Sequence, residues 1–273
     1  KDINSLIYAG LMKKDTNGDL VPDMATEYTV SGDNLVYTFT IDEHALFHDS
    51  VAVTADDVLF TTTMIKDPLV KSPKRTLWDN VRTDIIDPHT IRFTLKTPFS
   101  GFLETTTVGI LPKHIWQDTK PEQFAFSPRN TDPIGSGPFK VKNSSEKNTE
   151  YIYNLEVFKK YANGRAFLDT VTIIFFTDKN DMTDAITSGR IDHASAIDPE
   201  KFQDITTGSL IKQSPMTRVF ALYFNANTAS IFLDSAVKKV INLAIEKNAI
   251  IKNTLFGFGT IIDGPLPVTG IDT

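Results

Sequence analysis

The feature of this sequence that most constrains its fold is the segment PEQFAFSPRNTDPIGSGP, residues 121–138. It contains four prolines and two glycines and shows the period of neither a helix nor a strand. Proline fixes φ and removes a backbone donor, so no regular element is expected to continue through the segment. The chain has 273 residues, enough for one large domain or two smaller ones. We therefore place a domain boundary within this connection.

Before the connection, the sequence predicts two β-hairpins and one helix. Apolar and polar residues alternate over 28–41 around a Ser-Gly-Asp-Asn turn, and over 81–98 around Asp-Pro-His-Thr. Between the two hairpins, Thr54 lies three residues before Asp57. This spacing is typical of a helix start, because the two side chains satisfy free backbone amides there. We expect the helix to cover about 55–66.

After the connection, strand-like and helical segments alternate, which indicates an α/β unit. Residues 151–158 and 168–176 predict strands, and the second is apolar almost throughout. Such a composition is typical of a strand covered on both faces. A helix is expected over about 180–188, ended by Gly189 and followed by another buried strand.

The last part of the chain predicts one more strand and one amphipathic helix. The strand is expected at 217–225, from the apolar run TRVFALYFN. Ser235 is expected to cap the helix. The helix carries an apolar stripe formed by Val237, Val240, Ile241, Ala244 and Ile245.

Composition excludes several classes of partner and chemistry. Acidic residues outnumber basic ones 34 to 28, the net charge is −6, and no basic run with interleaved aromatics occurs. A phosphate backbone would be repelled, so nucleic acid is not expected as a partner. No apolar run approaches the roughly 18 residues that a membrane span requires. The chain has no cysteine, which excludes disulfides, thiolate metal sites and cysteine nucleophiles.

The stretch KKDTNGDLVPDMA, residues 13–25, has oxygen-bearing side chains spaced like those of a calcium loop. Such a loop needs glycine at its sixth position and glutamate at its twelfth. Leu20 and Thr26 occupy those positions here. Asn17-Gly18 is instead typical of a tight turn between two apolar runs. We expect a turn and no metal.

No other motif predicts a cofactor or a catalytic site. His44 and His48 have the spacing of shared metal ligands only on a helix, and their surroundings predict a strand or a turn. Gly135-Ser136-Gly137 has the wrong spacing for the nucleophile elbow of a hydrolase, and no third glycine follows to form a dinucleotide-binding loop. We expect neither an enzyme nor a bound cofactor.

The order of the segments closely resembles that of the extracellular solute-binding proteins of the peptide/nickel class, family 5. The resemblance covers nearly the whole chain. It rests on IYAGLMKKDTNGDLVPDMATEYTVSGDNLVYTFTI, LFHDSVAVTADDVLFT, TIRFTLKTPF, ILPKHI, DPIGSGPFKV, SGRIDHA, LYFNANT and VKKVINLAIEKNAI. Departures are mild: Ser50 stands where the family has glycine, and Glu246 and Lys247 stand where its last helix has aspartate and arginine.

The resemblance implies an α/β, periplasmic-binding-protein-like fold of type II, with two lobes joined by a hinge. Lobe one would comprise 1–22 and 135–227, with an inserted subdomain at 23–134. Residues 228–273 would begin lobe two, and the hinge would lie near 225–234. Family chains are roughly twice this length, so we expect this sequence to be a fragment whose second lobe is incomplete.

The implied function is that of the extracytoplasmic substrate-binding component of an ABC transporter. Such a protein captures oligopeptides in the periplasm or outside the cell and passes them to the permease subunits, and the full-length parent is expected to be anchored as a lipoprotein. A nickel chelate or an oligosaccharide remains open as the ligand. The alternative from another class is a secreted hydrolase, which would need a nucleophile and a base that converge in one cleft.

The resemblance also implies which residues line the cleft from lobe one. They belong to the first loop and to the last predicted strand: Tyr8, Ala9, Gly10, Thr217, Arg218, Phe220 and Leu222. Arg218 would meet a ligand carboxylate, although a solvated strand end is the other interpretation. Phe220 and Leu222 could equally form a buried strand face, and Trp78, a weaker candidate, could be a core residue.

The expected fragment has two consequences. Closure of two lobes buries the ligand almost completely, so a chain with only one complete wall should bind peptides much more weakly than its parent. The helix at 235–250 would normally pack within lobe two. Its apolar stripe is therefore a candidate surface for self-association.

Overall fold

The computed structural model describes residues 2–147, 149–195, 197, 200–201, 219–262 and 264. The chain divides into two compact units, Lys1–Phe175 (unit 1) and Phe176–Thr273 (unit 2). The domain boundaries proposed from the sequence stay predictions. Among the described residues, none of the helices is long and apolar enough to cross a membrane.

Unit 1 begins with a short helix and a small hairpin. Helix α1 (Asp2–Ile7) precedes the antiparallel strands β1 (Met12–Lys14) and β2 (Leu20–Pro22). Gly18 has a φ of 92°, a conformation that glycine adopts without steric cost. A carboxylate oxygen of Asp15 accepts hydrogen bonds from two backbone amides of the turn, each 2.9 Å long. The predicted turn is confirmed, and the Asp15 carboxylate binds backbone amides of this turn.

A four-stranded antiparallel sheet follows, with the order β3-β4-β6-β5. Its strands confirm both predicted hairpins: β3 (Ala25–Val30), β4 (Val36–Ile41), β5 (Val81–Asp87) and β6 (Thr90–Leu95). Alternate residues of the central strands face the core, as the period of two requires. Phe39, Ile91 and Phe93 are completely buried on that face.

Helix α2 (Ala55–Lys66) covers one face of this sheet and has the bounds that the sequence predicts. Its start is fixed by Asp57, whose carboxylate accepts a 2.9 Å hydrogen bond from the Thr54 amide. The second carboxylate oxygen of Asp57 accepts a 2.8 Å bond from the amide of Lys113. Asp57 therefore caps α2 and also binds the backbone at Lys113, which lies 56 residues further along the chain.

Three short helices and the proline-rich connection complete this part of unit 1. The helices are α3 (Arg75–Trp78), α4 (Phe102–Thr105) and α5 (Lys113–Trp116). Residues 121–138 are all described, and contain only the 3-10 helices Pro121–Phe126 and Pro128–Asn130 before β7 begins at Phe139. The predicted irregular connection is confirmed.

The main core of unit 1 is built around aromatic rings. Trp78 contacts Phe93 and Phe102 edge to face, with ring centroids 5.4 and 5.7 Å apart. Phe93 also meets Phe39 and Phe102 edge to face, at 5.7 Å each. This geometry brings the positive ring edge to the negative face and adds to the gain from burial.

A second sheet carries a smaller core. Its order is β7-β8-β9, with bounds β7 (Phe139–Lys147), β8 (Glu150–Val157) and β9 (Thr170–Phe176). Ile7 at the end of α1 packs here against Phe139, Leu155 and Val157. The first helix of the chain is thus joined to strands more than 130 residues away.

Strand β9 corrects one expectation about burial. Its sequence predicts cover on both faces, yet none of its residues is fully buried and Phe175 is 42% exposed. The strand lies at the edge of the described sheet, where Val171 and Ile173 alone pack against the smaller core. The predicted strand is confirmed. The prediction that both of its faces are covered is wrong for the described part of the chain.

Unit 2 is helical in its described residues. It contains α6 (Lys179–Thr187), the 3-10 helix Ser230–Leu233, α7 (Ser235–Ala244) and α8 (Lys247–Thr254). Gly189 has a φ of 73° just after α6, which confirms the predicted glycine at that helix end.

Four expectations for unit 2 are wrong. No strand forms at 190–195 or at 219–225. The helix start at α7 is capped by Asp234, whose carboxylate accepts from the Ala236 amide at 2.8 Å, and not by Ser235. The helix expected to reach residue 250 ends at Ala244 and is followed by α8.

Candidate ligand-binding site

The candidate site is the loop that follows α1, residues 8–10. The helix ends where the Tyr8 amide donates to the Asn4 carbonyl at 2.8 Å. Ile7, which is only 1% exposed, anchors the helix end in the smaller core. The loop therefore begins from a fixed point and is held from both sides by segments distant in sequence.

On one side, the loop is packed against residues 135–137. The Gly137 amide donates to the Ile7 carbonyl at 2.8 Å. A Cβ on Gly135 would lie 2.0 Å from the Ile7 carbonyl oxygen, and one on Gly137 would lie 2.5 Å from that of Leu6. Only glycine permits this close approach of two backbones.

On the other side, the loop is packed against residues 106–110. The Ala9 carbonyl accepts from the Ile110 amide at 2.9 Å. A Cβ on Gly109 would lie 2.5 Å from Cβ of Tyr8, and one on Gly10 would lie 2.8 Å from the Thr107 carbonyl carbon. The loop is thus enclosed on both sides at backbone contact distance.

This packing leaves Tyr8 as the loop side chain with accessible surface. Ala9 is 2% exposed and Gly10 is buried, whereas Tyr8 is half-buried. Burial raises the pKa of the Tyr8 phenol to about 12. At physiological pH the group is therefore a neutral hydroxyl that can both donate and accept a hydrogen bond.

The sequence did not point to the residues that hold this loop. Ser136, which is 1% exposed, accepts a 3.4 Å hydrogen bond from the Ala9 amide through Oγ. His48 hydrogen-bonds Gly135 and Gly137. The Gly-Ser-Gly motif was the available signal, because paired glycines favour close backbone approach as well as phosphate binding.

The remaining predicted site residues belong to the main core of unit 1, to unit 2 or to the part of the chain that the structure does not describe. Trp78 is 1% exposed and lies inside the main core, so it offers no surface to a ligand. Phe220 and Leu222 belong to unit 2 and are 76% and 61% exposed, which contradicts the buried strand face considered for them. Thr217 and Arg218 lie outside the described residues.

The described residues contain one acid and histidine pair. The His114 Nε2 lies 2.7 Å from a carboxylate oxygen of Asp49. The Phe47 ring packs against the same imidazole, with ring centroids 5.7 Å apart. No group of three or more potential metal-ligating side chains occurs among the described residues.

Comparison with known proteins gives the family. The sequence model described as "Bacterial extracellular solute-binding proteins, family 5 Middle" matches residues 19–271. The chain belongs to this family. The recognition from sequence is thereby confirmed, and the members of family 5 are classed as solute-binding proteins rather than enzymes.

Two curated members of family 5 illustrate the relationship. The glutathione-binding protein GsiB of Pectobacterium atrosepticum is 27% identical over 267 residues, which cover 95% of this chain and 50% of that protein. The oligopeptide-binding protein AppA of Bacillus subtilis is 26% identical over 266 residues, which cover 95% and 48%. The chain spans about half the length of the curated relatives that it matches.

A solved structure of the family shares the fold. NikZ of Campylobacter jejuni, in complex with Ni(L-His), is 28% identical, with a TM-score of 0.79 over 96% of this chain and 52% of that one. The α/β, periplasmic-binding-protein-like fold expected from the resemblance is confirmed by this likeness.

Proposed function

We propose that this chain forms part of the substrate-binding component of an ABC transporter that captures oligopeptides outside the cytoplasm. The observation that carries the proposal is the loop at residues 8–10, which is enclosed by backbone on both sides and carries the partly buried, neutral phenol of Tyr8. Family membership supports a binding role, and the likeness to the glutathione-binding protein GsiB and the oligopeptide-binding protein AppA favours peptides.

The chemistry of the loop suits a ligand whose backbone is constant and whose side chains vary. Peptide amides offer both donors and acceptors, and a phenol can pair with either. A rigid loop loses little conformational entropy on binding, so more of the contact energy appears as affinity. We assign Tyr8 as the direct contact of this loop, with Ala9 and Gly10 shaping its backbone.

Three further residues are proposed contacts. Phe220 and Leu222 expose apolar surface that would cover ligand side chains. Arg218 would pair with a ligand carboxylate, as the family resemblance implies. In this proposal Trp78 does not contact the ligand. It contributes to the main core of unit 1, which supports the four-stranded sheet.

The function can be tested by calorimetry on the full-length protein, purified without refolding. Native mass spectrometry would first identify any carried solute. Titration with reduced glutathione, with trialanine and with a nonapeptide should show binding, weakened about tenfold by Tyr8→Phe, the effect expected on loss of a hydrogen bond. Tyr151→Phe, on the exposed part of β8, is the matched control and should bind as the wild type does. Failure of all three peptides to bind would refute peptide capture.

A nickel chelate is the second candidate ligand. The observation that favours it is the likeness to NikZ, whose structure holds Ni(L-His). Nickel with two equivalents of L-histidine belongs in the same calorimetric series. Heat with this chelate and none with peptides would replace the first proposal by the second.

The partners and the location follow from the same role. We propose that the protein acts in the periplasm or outside the cell, that its parent carries a lipid anchor, and that it delivers solute to permease subunits. We also propose that the helical end of unit 2 promotes self-association. Val240 and Leu243 on α7 are 64% and 72% exposed, which supports this surface.

A further inference from the structure

His48 makes three hydrogen bonds to one short segment. Its amide donates to the Gly135 carbonyl at 2.8 Å. The Gly135 amide donates to Nδ1 of the ring at 3.2 Å, and Nε2 lies 3.1 Å from the Gly137 carbonyl oxygen. Because an amide can only donate, Nδ1 must be the acceptor, and the ring proton therefore resides on Nε2, where it is donated to Gly137.

The surroundings of the ring favour this neutral form. The imidazole packs edge to face on Phe158, with ring centroids 5.0 Å apart. Burial lowers the pKa of His48 to about 4; the Gly137 carbonyl and the charge of Asp49 oppose this shift, and the charge of Lys140 adds to it. Asp49 is itself paired with His114 at 2.7 Å. His48 is therefore uncharged at physiological pH and keeps both ring hydrogen bonds.

The segment that His48 holds in turn holds the binding loop. The Gly137 amide donates to the carbonyl of Ile7 at 2.8 Å, and Ser136 Oγ accepts from the amide of Ala9 at 3.4 Å. Residues 135–137 thus lie between His48 and the loop, hydrogen-bonded to each. Displacement of this segment would displace the backbone on both sides of Tyr8.

We propose that His48 is a positioning residue, which acts through residues 135–137 to hold the loop of Tyr8 in its ligand-binding shape. The inference rests on the proposed function of that loop. His48 is distinct from a direct ligand contact, because its ring hydrogen bonds are already made within the protein. It links the segment before α2 to residues 135–137, across 87 residues of sequence.

Amide hydrogen exchange followed by NMR on the full-length protein tests the proposal without any ligand. His48→Ala should accelerate exchange of the Ala9, Gly135 and Gly137 amides about tenfold relative to β4 amides, as expected for lost hydrogen bonds. His48→Gln retains one donor and one acceptor and should restore most of the protection. His114→Ala removes a comparable ring whose hydrogen bond goes to Asp49, and should leave these amides unchanged.

Calorimetry with reduced glutathione and trialanine then tests the consequence for binding. His48→Ala should raise Kd about tenfold, with His48→Gln and His114→Ala near the wild type. Unchanged exchange at Ala9, or accelerated exchange with unchanged Kd, would overturn the proposal. If the wild type binds neither probe, peptide capture fails as the function, and the exchange rates alone decide whether His48 positions the loop.

The pH profile separates positioning from a general structural role. Wild-type affinity should fall as the pH is lowered through about 4, where the buried ring of His48 takes up a proton, because protonation of Nδ1 removes the acceptor for Gly135. His48→Gln cannot titrate and should lose less affinity over the same range. Identical profiles for both proteins would overturn the proposal.

Discussion

Substitution of Gly135 by alanine would test how closely the candidate loop is packed. The new Cβ would lie 2.0 Å from the Ile7 carbonyl oxygen and 2.8 Å from its carbon, whereas ordinary contacts begin at 3.4 Å. The two backbones would have to separate by about 1.4 Å to relieve the overlap. Both are main-chain segments with little freedom to move, so the strain cannot be relieved by rotation of a side chain.

The expected cost follows from two contributions. Overpacking of a close contact destabilises by about 1–3 kcal/mol. The same displacement would break the two hydrogen bonds that join Gly135 and His48, each contributing about 0.5–1.5 kcal/mol. We therefore expect Gly135→Ala to lower the free energy of unfolding of unit 1 by about 2–6 kcal/mol.

Urea unfolding followed by tryptophan fluorescence is a suitable assay, because both tryptophans of the chain, Trp78 and Trp116, belong to unit 1. Gly32→Ala is the matched control. A Cβ at Gly32 meets nothing within 4 Å, so this variant should change the free energy by less than about 0.5 kcal/mol. If Gly135→Ala costs no more than Gly32→Ala, the close approach of the two backbones is refuted.

Three further outcomes are expected. Tyr161→Phe removes the hydroxyl that donates to the buried Asp23 carboxylate, and should lower the free energy of unfolding by about 1–3 kcal/mol; a change no larger than that of Tyr151→Phe would contradict this. Between pH 6.5 and 4 the unfolded chain protonates His48 while the folded chain does not, so on acidification the wild type should lose about 3 kcal/mol more stability than His48→Gln. Equal acid sensitivity would argue against the buried neutral ring. Light scattering at high concentration should show oligomers of the wild type, and Leu243→Lys should abolish them. A wild type that stays monomeric would rule out α7 as a surface for self-association.

The parts of the fold that sequence predicted are those set by local pattern. The capping pair of Thr54 and Asp57 lies within one helical turn, and each hairpin carries its own turn residues, so neighbours in sequence fix these elements. The strand predicted at 217–225, of which the structure describes 219–225, depended instead on an apolar run, and the residues that cover such a run must come from elsewhere in the fold. Apolar sequence alone therefore predicted a strand and burial where the structure has neither.

The site was harder to predict because its contacts are long-range. His48 was considered as a metal ligand beside His44, whereas its ring partners lie 87 and 89 residues further along the chain. The glycines at 135 and 137 were considered as phosphate-binding residues. In the structure, they allow the backbone of this segment to approach α1 closely. A glycine motif indicates that another group approaches the backbone closely, but only the fold shows which group that is.

The candidate loop contributes shape and one neutral group, and this limits what it can recognise. Tyr8 is a neutral phenol at physiological pH, further from ionisation because burial raises its pKa to about 12, and Ala9 and Gly10 are buried. A phenol pairs with the amides that all peptides share, but it carries no charge with which to select a peptide terminus. Selection of a ligand's charged end must therefore come from another residue, and Arg218 is the one that we propose. It follows that loss of the Tyr8 hydroxyl should weaken peptides of different sequence to a similar extent.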